Sequence, residues 1–124
     1  MTRKVTKMGK LTTHVLDTAK GLPGSEIKVE LYRVEGEKTT LLNTVYTNHD
    51  GRTDAPILAG DDYVAGKYQL VFHTSSYFKK QGIELLEPAF LDDVVIRFGI
   101  AAGEEHYHVP LLIAPYSYST YRGS

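Results

Sequence analysis

The chain has 124 residues, 42% of them hydrophobic and 23% charged, with 14 lysines and arginines against 15 aspartates and glutamates. One ordinary globular domain fits that length and two do not, and a net charge of −1 offers no basic excess to hold nucleic acid. There is no cysteine, which removes disulfides, thiol nucleophiles and thiolate metal sites, and no apolar run nears the ~18–20 residues of a membrane span.

Residues 1–9 are basic, and no apolar core follows them. They read as a short flexible arm rather than a secretory signal, which points to the cytoplasm. A peroxisomal Ser-Lys-Leu ending is also absent. Residues 10–124 read as a single domain. Leu11 to Asp17 is the first strand, closed by the turn cluster from Asp17 to Gly24. From Glu26 to Val34 the residues alternate, with Ile27, Val29 and Leu31 on one face. Thr39 to Thr47 is a third strand, followed by an Asn48 to Gly51 turn in which Asp-Gly supplies the left-handed position. Thr53 to Ile57 is a short strand limited to an edge by Pro56. Lys67 to His73 alternates again.

One short helix follows, capped by Thr74 or Ser75 and stopped by Gly82. Asp93 to Gly99, Glu104 to Ala114 and Tyr116 to Arg122 complete the strands. Seven to eight short strands and one short helix describe an all-β, two-sheet sandwich. In the penultimate strand, Tyr107, Val109, Leu111 and Ile113 share one face, and His106, His108, Pro110 and Leu112 share the other. A sandwich strand normally shows one face to water. Two largely apolar faces predict a second copy of the chain over the outer one. Tyr116, Tyr118 and Tyr121 likewise suggest that the C-terminal segment packs against something.

Four histidine positions carry candidate chemistry: His14, His49, His73 and the pair His106 and His108. A His-X-His pair places two imidazoles on one side of a strand. With His14 or Glu104 as a third ligand it could hold a metal. One histidine as a general base serves equally well without one. Arg52, after the Asp50-Gly51 turn, is either solvated or an anion clamp and oxyanion stabiliser. The stretch from Asn48 to Asp54 lacks the spacing and the terminal glutamate of a calcium loop. No nucleophile elbow and no phosphate-binding glycine loop occur.

Four segments together are distinctive: Leu11-Thr-Thr-His14-Val-Leu-Asp17, Gly51-Arg52-Thr-Asp54, His106-Tyr-His108-Val-Pro-Leu-Leu112 and Tyr121-Arg-Gly-Ser124. From about Lys10 onward the chain resembles the 5-hydroxyisourate hydrolases, transthyretin-related enzymes of urate breakdown. The closing Tyr-Arg-Gly-Ser is the most specific motif, since the hormone carrier transthyretin lacks it. The resemblance implies a transthyretin-like β-sandwich assembled as a homotetramer, a dimer of dimers with active sites along a central channel. It implies hydrolysis of the purine-derived ring of 5-hydroxyisourate, with no cofactor and no metal. His14, Arg52 and His108 are the catalytic residues it implies, with His108 favoured as the base that deprotonates water. His14, Arg52, Tyr121, Arg122, Gly123 and Ser124 would bind the substrate, a small molecule. No nucleic acid or membrane partner is expected. Two other readings stand beside it: a transthyretin-like carrier of small aromatic ligands, and a metallohydrolase built on His14, His106 and His108.

Overall fold

The computed structural model describes residues 9–101 and 105–124. All but Gly9 of the arm expected over residues 1–9 therefore lies outside the described residues, as does Glu104. In chain order the strands begin with β1 (Lys10–Asp17), β2 (Leu22–Pro23), β3 (Lys28–Glu35), β4 (Lys38–Tyr46) and β5 (Leu58–Ala59). A 3-10 turn at Gly60–Asp62 leads to β6 (Gly66–Phe72) and the helix α1 (Thr74–Lys80). The strands β7 (Val94–Ile100), β8 (Tyr107–Ala114) and β9 (Ser117–Thr120) follow. Two sheets result. One has the order β2-β1-β8-β9, with β5 also on β1, and the other β4-β3-β6-β7. This is the expected sandwich of strands with one short helix. No helix among the described residues is long and apolar enough to cross a membrane.

Alternation explains the core. On β1, Leu11, Thr13, Val15 and Asp17 are buried, while Thr12, His14 and Leu16 on the other face are half-buried. The inward residues meet Val29, Leu31, Tyr68, Leu70 and Phe72 of the second sheet, all fully buried. Each large apolar side chain removed from water in this way contributes ~1.5–3 kcal/mol. The outward face of β1 and β8 is left to carry polar groups.

β1 and β8 run parallel, with Thr12 opposite His108 and His14 opposite Pro110. Pro110 also explains why the last strand ends early. Its carbonyl accepts a hydrogen bond from Thr120 Oγ1 at 2.7 Å, so that edge of β8 faces β9. A residue's N–H points to the same side as its carbonyl in a strand, and proline has none to give. The ladder therefore stops at Thr120 opposite Leu111, and it resumes only at the His108–Gly123 bridge. The strand expected to reach Arg122 is interrupted at Tyr121 and Arg122 for this reason.

Two further expectations change. Residues 53–57 do not form a strand; the pairing falls instead on Leu58–Ala59. Pro56 cannot donate to a ladder, and Thr53 turns its hydroxyl onto the Ala55 carbonyl. At α1 the N-cap is His73, with no side-chain cap. Thr74 and Ser75 instead donate their hydroxyls to the Asp92 carbonyl and carboxylate, tying the helix to the segment before β7.

Candidate active site

The polar outer face of β1 and β8 gathers a histidine pair. His14 Nδ1 lies 2.7 Å from His108 Nε2, and the two rings stack with centroids 4.9 Å apart. His108 Nδ1 lies 2.8 Å from Thr12 Oγ1. Both nitrogens of His108 are thus engaged, and one of the two partners, Thr12, lies two residues before the other, His14, on the same face. Sequence reasoning did not single out Thr12. The signal available was the Thr-X-His spacing on one face of a strand.

Arg52 reaches the same cleft because its turn is clamped to β1. Asn48 Oδ1 accepts hydrogen bonds from the Asp50 and Arg52 amides, and Val15 N–H donates to the Gly51 carbonyl at 2.9 Å. Gly51 sits at φ +76°, and a Cβ there would stand 2.5 Å from the Val15 carbonyl oxygen. Only glycine tolerates both conditions. The turn therefore delivers Arg52 beside His14, one residue before Val15.

The C-terminal segment forms the remaining wall. Gly123 N–H donates to the His108 carbonyl at 2.8 Å. Thr12, His14, Arg52, His108, Pro110, Tyr121, Arg122, Gly123 and Ser124 line a cleft of about 430 Å³. The catalytic and substrate-binding residues that the family resemblance implies all border it. Arg122 does so differently from the rest. Its guanidinium lies 4.0 Å from the Tyr107 ring centroid and donates to the Glu105 carboxylate and the His106 carbonyl. Strand alternation turns it from the His108 face toward the Tyr107 face.

The other histidines fall elsewhere. His73 pairs with Glu30 at 2.7 Å and faces Asp93 at 3.5 Å, while His49 is exposed on its turn. His106 is exposed ahead of β8 and does not line the cleft. Among the described residues, no three histidine or carboxylate side chains converge as a metal would require.

Burial, and then the Arg52 charge, hold His14 below its ordinary value of 6.5. His108 is lowered from the same value, first by burial and then by His14 and Arg52, against a smaller opposing influence of the Thr12 backbone. The cleft thus offers two neutral imidazoles beside a permanent cation, with a nitrogen base and an anion-stabilising group a short distance apart.

The model of the HIUase/Transthyretin family matches residues 11–123. The chain belongs to that family. A Pseudomonas aeruginosa relative named 5-hydroxyisourate hydrolase is 64% identical over 117 residues, which cover 94% of this chain and 93% of the relative. The structure of Klebsiella pneumoniae 5-hydroxyisourate hydrolase matches with a TM-score of 0.76 at 38% identity, over 94% of each chain. Sea bream transthyretin in complex with thyroxine matches with a TM-score of 0.82 at 25% identity, over 92% of this chain and 94% of that one. A fold that the HIUase/Transthyretin family uses for both a hydrolase and a thyroxine complex does not itself choose a function. The side chains of the cleft must do so.

Proposed function

We propose that the chain hydrolyses 5-hydroxyisourate, opening its purine-derived ring to 2-oxo-4-hydroxy-4-carboxy-5-ureidoimidazoline in the cleft of His14, Arg52 and His108. The observation that carries this reading is the direct contact of the two imidazoles, 2.7 Å apart, in a cleft shared with Arg52. A carrier has no use for such a set. In this reading a water molecule gives a proton to the imidazole pair, and the resulting hydroxide adds to the ring carbonyl. Arg52 stabilises the charge that develops on the carbonyl oxygen. The acyl carbon–nitrogen bond then breaks, and the pair returns its proton to the departing nitrogen. Tyr121, Gly123 and Ser124 bound the ring and limit bulk water. Arg122, docked on Tyr107, anchors the segment that carries them. No cofactor or metal enters any step.

Following the spectral decay of freshly generated 5-hydroxyisourate, with and without protein, tests the reading directly. Accelerated decay that survives exhaustive chelation is the expected result. Ligand retention without acceleration would instead assign a carrier, and a rate lost on chelation and restored by metal would assign a metallohydrolase.

The same reading includes a homotetramer, a dimer of dimers whose facing copies enclose the cleft. Three features support it. β7 and β9 each form one edge of a sheet, opposite β4 and β2, and between them they carry a single charged residue, Arg97, where a protected edge would carry several. Tyr116, Tyr118 and Tyr121 are exposed on the single chain, as an interface would require. The cleft lies on the open outer face rather than in the core. Light scattering gives the assembly size, and fractionation tests the cytoplasmic location that goes with this reading.

A further inference from the structure

The imidazole pair shares one hydrogen between His14 Nδ1 and His108 Nε2. Which ring owns it decides which nitrogen can act as a base. Either ring could own it if the pair stood alone, because a neutral imidazole has one donor and one acceptor. Thr12 breaks that symmetry. It stands opposite His108 in the parallel register and holds Nδ1 of that ring with its hydroxyl at 2.8 Å. With His14 on Nε2 and Thr12 on Nδ1, both nitrogens of His108 are engaged, and the contact with His108 also engages His14 Nδ1. Only His14 Nε2 is left to meet water, so a pair that acts as a base has its lone pair there, and His108 then presents an N–H toward the Thr12 hydroxyl, which accepts it. His108 Nε2 is then bare and accepts from His14 Nδ1–H. His14 Nε2 keeps its lone pair, and no group among the described residues is hydrogen-bonded to it.

We propose that Thr12 is a positioning residue that fixes the tautomer of the His14–His108 pair, so that His14 Nε2 is the nitrogen that takes the proton from water. This rests on the hydrolase reading and refines it, since the sequence favours His108 for that role. The transfer balances simply: water loses a proton to His14 Nε2, and the hydroxide left behind attacks the carbonyl. The charge on the pair spreads through the shared hydrogen bond to His108, whose outer N–H rests on Thr12. His108 supports the base rather than meeting water itself.

The test compares the full chain with Thr12→Val and Thr12→Ser. Long-range proton–nitrogen NMR of the histidine rings reads each tautomer at neutral pH without substrate. The native protein should show the hydrogen on Nδ1 of both His14 and His108. Thr12→Val keeps the shape and the carbonyl but loses the hydroxyl. It should show mixed tautomers at His108 and a kcat lower by about ten- to a hundredfold, with KM little changed. Thr12→Ser should restore both readouts. A hydrogen on His14 Nε2 in the native protein, a Thr12→Val chain with native spectra and kcat, or a Thr12→Ser chain as slow as Thr12→Val would each overturn the assignment. A native protein without turnover defeats the hydrolase reading instead, and the spectra separate the two failures.

Discussion

Gly123 lies so close to His108 that a Cβ on it would stand 2.8 Å from Cδ2 of the imidazole and 3.1 Å from Cγ of Pro110. The absent side chain lets the C-terminal segment rest on the ring and close one side of the cleft. Gly123→Ala must therefore push away either the segment or the imidazole. The fold does not depend on that contact, so turnover should fall at least tenfold while the denaturation midpoint stays near the native one. A variant with native kcat/KM would show that the segment does not position His108.

Removing either imidazole removes the shared base. His14→Ala and His108→Ala should each lower kcat by about 10²–10⁴-fold, and the double variant should lose little more than the worse single one. Groups acting as a unit are strongly non-additive. Losses that simply multiply would mean that the two rings act independently.

The pH profile follows from the charge beside the pair. Burial and Arg52 lower both histidines from 6.5, so the neutral, basic form persists below the usual histidine range. Activity should hold as the pH falls through 6.5 and drop only at lower pH. Arg52 disfavours the imidazolium, so Arg52→Gln should move both titrations upward, though only in part, because burial is the larger cause. NMR titration of the ring protons measures this even where little activity remains. Unchanged titrations would place the Arg52 charge away from the pair.

A different site tests stability alone. Asp17 is 1% exposed, and its carboxylate accepts from Tyr77 Oη at 2.8 Å and from the Ala19 and Lys20 amides. Burial, and then the bond and charge of Asp17, push the Tyr77 hydroxyl well above its ordinary value. Tyr77→Phe leaves one carboxylate oxygen buried without its donor, which costs about 1–3 kcal/mol. Urea denaturation should show that loss with kcat unchanged. Equal stability would mean that water enters and replaces the hydroxyl.

The sandwich was largely legible because its strands alternate. Val29 and Leu31, or Leu70 and Phe72, declare an inner face by their spacing alone. His14, Arg52, His108 and the closing segment were legible as residue types and through the family resemblance. Their convergence was not, since nothing local announces that β1 and β8 pair in parallel with Thr12 beside His108. Thr12 itself looked like an ordinary β-former. Pro110 did carry a readable signal, a missing donor within a central strand, which the alternation of its neighbours masked. Arg122 was legible as a motif position and borders the cleft, but nothing in its local sequence announces that Tyr107 and Glu105 hold its guanidinium.

The parallel pairing of residues 11–17 with 107–113 has a kinetic consequence. Nearly the whole polypeptide must be looped before these strands can meet, and closure entropy opposes so long a loop until the intervening strands have condensed. The second sheet, whose antiparallel pairs lie closer together along the chain, is free to form earlier. Recovery of turnover during refolding would then lag behind the return of β-structure, making activity a clock for the final stage of assembly.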